Sequence, residues 1–200
     1  MRSIGGSPAP RSRRVGKTSE SSCVPVAVAT LAAASRPGSR SARPSSRVAM
    51  AYMGSQLFKE VRTKRNLSYA PGAGVAVYQA GSLGMVSVSA VDPTTTYKVM
   101  LDELRRLQST PLTAAQLAGA KATYLTGVIN DAEATDGQAN LLAIGELQTG
   151  DWRYPARFLD AVRAVTSADV QAFARKNFVN LQTLMLGDPS KLDPALGKAL

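Results

Sequence analysis

The amino-acid sequence changes character near residue 50, and only the part after it shows the periodicities of a folded domain. Residues 1–49 are dense in Ser, Arg and Pro, with no sustained strand or helix period. A segment of this composition buries too little apolar surface to offset its loss of conformational entropy. We therefore predict a disordered tail over residues 1–49, a folded domain over residues 50–190 and a C-terminal tail over residues 191–200.

The positive charge of the chain belongs mainly to this tail. The formal net charge is +10, and residues 1–50 hold nine Lys and Arg against the single acid Glu20. The rest of the chain is close to neutral, so it has no general field that would attract nucleic acid. Three interpretations of the tail stay open: a mis-assigned start of the coding segment, a targeting segment, and a basic arm for anionic surfaces. The compartment is left undetermined.

Two further classes of protein are disfavoured by composition. Cys23 is the only cysteine, so an internal disulfide and a cysteine-rich zinc site are both excluded. The longest apolar stretch, Val24 to Ala34, contains Pro25 and is shorter than the roughly 18 residues that a membrane span needs. We expect neither a disulfide-stabilised protein nor a membrane-spanning one.

The folded part is predicted to be α+β, an antiparallel sheet with helices packed on one face. Apolar residues at near-helical spacing predict an amphipathic helix from Leu57 to Leu67. Glycines and alternating apolar residues then predict a hairpin over residues 68–90. Helix starts are indicated by Asp92-Pro93 and by two patterns with capping spacing. The later elements are helices over residues 92–107, 113–129, 137–148, after 155 and 166–178, and a short strand over residues 181–186.

The segment Leu57–Tyr69, LFKEVRTKRNLSY, resembles a helix-to-strand signature in the C-terminal half of pitrilysin/insulinase-type zinc peptidases. Similarity continues over residues 51–190, in the order Leu112-Thr113, Gly150-Asp151-Trp152, Ala164 to Val170 and Gly187-Asp188. The resemblance implies the inactive half of a processing-peptidase-like fold. A strand and a helix usually precede this signature in the family, so the resemblance also implies an N-terminally truncated module.

The same resemblance implies roles for four residues. Tyr69 would donate its phenolic hydrogen to the oxyanion on the scissile carbonyl, and Arg62 would hold a neighbouring substrate carbonyl. The substrate would lie as an added strand between this half and a metal-bearing half. Gly72 and Gly74 would admit the peptide backbone, although a bulge that only curves the sheet explains them equally well.

Catalysis by the chain alone is not expected. The family binds zinc through an inverted H-x-x-E-H helix, and this chain contains no histidine. The expected partners are therefore a metal-bearing peptidase subunit or domain, which would hold the zinc, and a peptide substrate. A scaffold subunit and a non-functional gene fragment remain as alternatives. Trp152 is predicted to be a packing residue and Lys121 a solvated one.

Overall fold

The computed structural model describes residues 28–34, 43–78 and 81–186. These residues form an antiparallel sheet and a set of helices in the order strand, helix, hairpin, helices, strand. The strands are β1 (Val28–Ala34), β2 (Gly72–Tyr78), β3 (Gly81–Ser89) and β4 (Gln182–Leu184). The helices are α1 (Pro44–Leu57), the π-helix Phe58–Thr63, α2 (Pro93–Ser109), α3 (Ala114–Asp131), α4 (Thr135–Thr149), α5 (Tyr154–Ala164) and α6 (Ser167–Asn177).

The sheet has four strands in the order β2-β3-β1-β4, and every neighbouring pair is antiparallel. Successive side chains of a strand point to opposite faces. On β3, Val86 and Val88 are buried against the core, whereas Met85, which points to the opposite face, is 39% exposed. One face of the sheet is therefore covered and the other is open, which confirms the predicted α+β class.

Helix α1 is the centre of the covered side. It packs against β2, α3, α5 and α6, and its Val48, Ala49, Met53 and Leu57 have no exposed surface. A helix that is buried on several sides shows no polar stripe, because no face of it needs to meet water. Residues 44–56 therefore show no periodic signal of an amphipathic helix.

The structure corrects the predicted start of the folded part. Helix α1 begins at Pro44, and β1 occupies Val28–Ala34, both within the segment predicted to be a disordered tail. The strand and the helix that we expected to be missing before Leu57 are thus present. Tertiary pairing orders them: β1 lies between β3 and β4, so an alanine-rich stretch of modest strand propensity gains partners on both edges. The other residues of the predicted tails lie outside the described residues.

Helix starts follow the predicted capping patterns. The Asp92 carboxylate accepts a hydrogen bond from the Thr95 amide at 3.0 Å, and it begins α2. Thr113 at the start of α3 forms a full capping box with the glutamine three residues on, and Thr166 does the same with Asp169 at the start of α6. Hydrogen bonds from Thr166 hold the pKa of Asp169 below its ordinary value. Among the described helices, none has the length and apolar character required to cross a bilayer.

Candidate functional site

Two of the predicted site residues, Arg62 and Tyr69, lie at the end of the helical segment that begins with α1. Helix α1 runs on into the π-helix Phe58–Thr63, where the sequence predicted an ordinary α-helix. The segment closes with paired hydrogen bonds from the Leu67 amide to the Val61 carbonyl at 2.9 Å and from the Asn66 amide to the Arg62 carbonyl at 3.0 Å. Asn66 has a left-handed conformation, with φ of 50°, which is common where a helix ends. The chain therefore reverses sharply just before Tyr69.

Because of this reversal, Arg62 and Tyr69 meet. The Arg62 guanidinium carbon lies 4.2 Å from the centre of the Tyr69 ring and 4.7 Å from the centre of the Phe58 ring. Both distances are those of cation–π contacts. The Tyr69 side chain is 79% exposed, so the stack lies at the surface of the described part of the chain and not in its core.

The stack leaves the polar edges of both side chains available. The rings contact the guanidinium, whose N–H donors lie in its own plane and are suited to a carbonyl or carboxylate acceptor. The described residues offer the Tyr69 hydroxyl no hydrogen-bond partner, so it can donate to an external oxygen. The arrangement can therefore hold one acceptor with Arg62 and donate a neutral hydrogen bond with Tyr69.

The same π-helix carries a buried carboxylate. The helical period places Glu60 among the charged residues opposite the apolar stripe, but its side chain is only 8% exposed. One carboxylate oxygen accepts from Lys64 Nζ and the other from Arg65 Nη1, each at 2.7 Å. These two hydrogen bonds lower the pKa of Glu60 to about 2. The spacing from Glu60 to Lys64, four residues with acid before base, was the signal in the sequence.

A second buried acid, Glu103 of α2, lies in the same region and was not predicted. Its residue is 6% exposed, one carboxylate oxygen is 3.5 Å from Arg106 Nη1, and the other is buried with no hydrogen-bond partner. Burial raises the pKa of Glu103, and the nearby Glu60 carboxylate acts in the same direction. Burial, and then the charge of Glu103, raises the pKa of Tyr52 in α1.

Gly72 and Gly74 lie on β2, which is an edge strand of the sheet. A Cβ atom at Gly74 would meet nothing within 4 Å, and one at Gly72 would lie 3.4 Å from the Ser87 hydroxyl. Both positions are paired with residues on the open face, Gly74 with Met85 and Gly72 with Ser87. The glycines therefore leave this part of the open face flat.

The edge of β2 is partly blocked. Arg47 Nη1 of α1 donates a hydrogen bond to the Val75 carbonyl at 2.9 Å. Tyr78 and Gly81 pair across a two-residue connection, so Val75 belongs to the alternate set whose backbone groups point away from β3. Arg47 therefore covers a carbonyl that a further strand would otherwise use.

Two minor predictions concern single residues. Trp152 is predicted to be a packing residue, but it is 48% exposed and stacks under the Arg153 guanidinium at 4.0 Å. Lys121 is predicted to be solvated, and its ammonium group makes an exposed hydrogen bond to the Arg163 carbonyl at 2.6 Å near the end of α5. Neither residue lies near Arg62 in the sequence. In the described ranges no group of three His, Cys, Asp or Glu side chains could hold a metal ion.

Comparison with known proteins supports the resemblance. Residues 38–124 match the family model described as the peptidase M16 inactive domain. No curated protein sequence matches the chain.

Solved structures share the fold at low sequence identity. A protease from Helicobacter pylori has a TM-score of 0.69 at 17% identity, with 84% of this chain and 43% of that chain covered. A complex III2 chain from Candida albicans has a TM-score of 0.70 at 17% identity, with 88% and 46% covered. A peptidase M16 inactive domain from Pseudomonas fluorescens has a TM-score of 0.63 at 20% identity, with 80% and 40% covered. The chain thus spans less than half the length of each.

Together, the family match and the shared fold confirm the predicted resemblance to the non-metal half of these peptidases. They bear on the fold and on the inactive character of the matched domain. The roles of individual residues are a separate question.

Proposed function

We propose, starting from this resemblance to an inactive peptidase domain, that the chain is the substrate-binding half of a zinc metallopeptidase and supplies Arg62 and Tyr69 to a metal-bearing partner. The observation that carries the proposal is the exposed stack, with the guanidinium 4.2 Å from the Tyr69 ring. Arg62 comes from the π-helix and Tyr69 from the segment that follows its turn, and their polar edges are available to another molecule.

The two side chains suit different parts of a peptide. The Arg62 guanidinium would bind a backbone carbonyl beside the scissile bond and so fix the register of the peptide. The Tyr69 hydroxyl would donate a hydrogen bond to the oxygen that becomes negative during attack, and the neighbouring guanidinium supports that charge. Zinc held by the partner half would supply the activated water. This chain would contribute binding and orientation only.

Gly72 and Gly74 are proposed to let an extended peptide approach the open face of the sheet. With no side chain at Gly74 and open space around its Cα, a peptide backbone can lie against β2 without a steric clash. An alanine or a larger residue there would project into the same space. We expect Gly74→Val to weaken peptide binding while leaving the described core untouched.

The decisive experiment mixes the full chain with a metal-bearing half that carries the H-x-x-E-H helix. Cleavage of a fluorogenic peptide should appear only in the mixture and should require zinc. Tyr69→Phe keeps the ring on Arg62 but removes the hydroxyl, so kcat should fall by about 10²- to 10³-fold with little change in KM. Tyr78→Phe, on another exposed tyrosine, is the matched control and should have no effect.

Arg62→Lys tests the second role. It keeps the positive charge but loses the planar fork, so KM should rise more than kcat falls. A mixture that cleaves equally well with Tyr69→Phe and Arg62→Lys would contradict the proposed roles.

A second candidate, a scaffold subunit without a peptidase role, is favoured by a different observation. Large apolar side chains are exposed around the end of α4, with Leu147 at 85% and Trp152 at 48% exposure. The fold is shared with a chain of complex III2 from Candida albicans, in which such domains are part of a larger assembly. A scaffold should keep its assembly after Arg62→Lys and lose it after Leu147→Asp, the reverse of the result expected for the peptidase half.

A further inference from the structure

The buried carboxylate of Glu60 takes no direct part in the binding proposed for Arg62 and Tyr69. It lies within the π-helix, two residues before Arg62, and both of its oxygens are occupied by cations from the segment that follows Arg62. A carboxylate that is only 8% exposed is costly unless its charge is satisfied, and here two charge-assisted hydrogen bonds of 2.7 Å satisfy it.

The bonds of Glu60 cross the turn that creates the stack. Lys64 and Arg65 are the last residues before Asn66, whose left-handed conformation sends the chain back toward Tyr69. Arg65 Nη1 also donates to the Glu60 main-chain carbonyl at 2.8 Å, so the same side chain binds both the backbone and the carboxylate of Glu60. The residues at the start of the turn, Lys64 and Arg65, are thus both bound to Glu60 in the π-helix.

Arg62 itself receives no such anchor. No ion pair or hydrogen bond of its guanidinium occurs among the described residues, and it is held only by ring contacts at 4.2 and 4.7 Å. Exposed cation–π contacts are weak, so they do not by themselves fix a turn. The position of Tyr69 relative to Arg62 therefore depends on the backbone of the turn. That backbone is held by the two main-chain hydrogen bonds at Asn66 and Leu67 and, through Lys64 and Arg65, by Glu60.

From this geometry we infer that Glu60 is the positioning residue of the Arg62–Tyr69 pair. Its carboxylate acts through Lys64 and Arg65 on the turn at Asn66 and does not touch the substrate. The inference rests on the proposed function for its biological meaning, but the contact it describes can be measured in the chain alone.

The measurement is the ring-current shift of the Arg62 Nε–Hε proton, observed by NMR in the full-length chain. Its reference is the Tyr69→Leu protein, in which one ring of the stack is absent. In Glu60→Gln the shift should fall by more than half, because the neutral amide offers one acceptor where the carboxylate offered two. Arg65→Met and Lys64→Met, which each remove one of the two cations, should give smaller losses.

Lys59→Met is the matched control, since it removes an exposed lysine from the same π-helix without removing a bond to Glu60. It should leave the shift unchanged. An unchanged shift in Glu60→Gln, or an equal loss in Lys59→Met, would overturn the inference. If thermal melts show that Glu60→Gln does not fold, Arg65→Met decides, because the Arg65 side chain is 42% exposed and its loss is tolerable for folding.

Cleavage by the mixture is recorded separately. A lost shift together with cleavage that is indifferent to Arg62 and Tyr69 would contradict the proposed function and leave the positioning role intact. An unchanged shift together with a damaged Tyr69→Phe enzyme would contradict the positioning role alone.

Discussion

Replacing Glu103 with methionine should stabilise the protein at neutral pH. One oxygen of this buried carboxylate has no hydrogen-bond partner, and leaving a buried polar atom unsatisfied costs about 1–3 kcal/mol. Methionine has a similar unbranched shape, favours helices and carries no group that needs a partner. The change also removes the repulsion between Glu103 and Glu60, which contributes to the raised pKa of Glu103.

The opposing loss is small. The contact of Glu103 with Arg106 is long, at 3.5 Å, and the Arg106 side chain is 60% exposed, so the pair contributes less than about 1 kcal/mol. The net gain should be about 1–2 kcal/mol, from the difference between the two effects. For a chain of this length that raises Tm by about 2–8 °C. Denaturant unfolding followed by circular dichroism gives the free energy directly.

The gain should depend on pH in a defined direction. Burial raises the folded-state pKa of Glu103 above its unfolded value, so the folded state binds the proton more tightly. Below the unfolded pKa both states are protonated and the penalty is absent; as pH rises through the folded pKa, the full penalty appears. The advantage of Glu103→Met should therefore be greatest at neutral pH and should shrink toward about pH 4, near the ordinary value for this side chain.

A suitable control is Asp102→Met, because Asp102 is the preceding acid on α2 and its side chain is 71% exposed. It should change the free energy of unfolding by no more than about 0.5 kcal/mol. A destabilised Glu103→Met protein at neutral pH, or a gain that is the same at both pH values, would refute the reasoning.

Three other substitutions test the packing. Gly145→Ala should destabilise α4 although alanine favours helices, because the new Cβ would lie 2.8 Å from the rigid Pro155 ring; circular dichroism melts should show a lower Tm. Gly119→Ala, with nothing within 4 Å, should instead stabilise α3 by up to about 1 kcal/mol in the same assay. Tyr97→Phe removes the 2.9 Å hydrogen bond to Thr183 that joins α2 to β4, so it should cost about 1 kcal/mol and speed amide exchange in β4.

Local signals in the sequence predicted much of the fold. The hairpin, the helix start at Asp92 and the capping patterns at the starts of α3 and α6 depend on short spacings, and the structure has them where predicted. In α2 the residues Tyr97, Met100 and Leu104, which are three and four positions apart, are buried on one face. Each of these features is decided within one or two turns of chain, so it is visible without the tertiary structure.

The missed elements depend on distant partners. Strand β1 is held by β3 and β4, which lie far along the chain, and α1 is buried on several sides and so lacks an amphipathic pattern. The burial of Glu60 also depends on packing, since a helical wheel places its side chain among charged neighbours. The π-helix has no simple sequence rule, and its wider turn changes which residues share a face.

The candidate site itself combines a predicted part and an unpredicted one. The family resemblance singled out Arg62 and Tyr69, whereas their contact and the two cations bound by Glu60 are seen only in the structure. Residue identity could indicate which groups act together. It could not indicate what holds them, because that depends on the direction of a single buried side chain.

The local structure around Arg62 is better explained as a means of placing Arg62 and Tyr69 together than as a contribution to the stability of the fold. The helix widens into a π-helix, Asn66 takes a left-handed conformation and Glu60 is buried with its charge, and each of these features is unfavourable without compensation. The stack that results is exposed and adds only about 0.5–1 kcal/mol. Tyr69→Phe keeps the ring and loses only a hydroxyl that has no partner among the described residues. If the stack served stability alone, this substitution would change neither the free energy of unfolding nor the rate of cleavage. We expect the two to separate: an unfolding free energy within about 0.5 kcal/mol of the original, and cleavage in the mixture reduced by orders of magnitude.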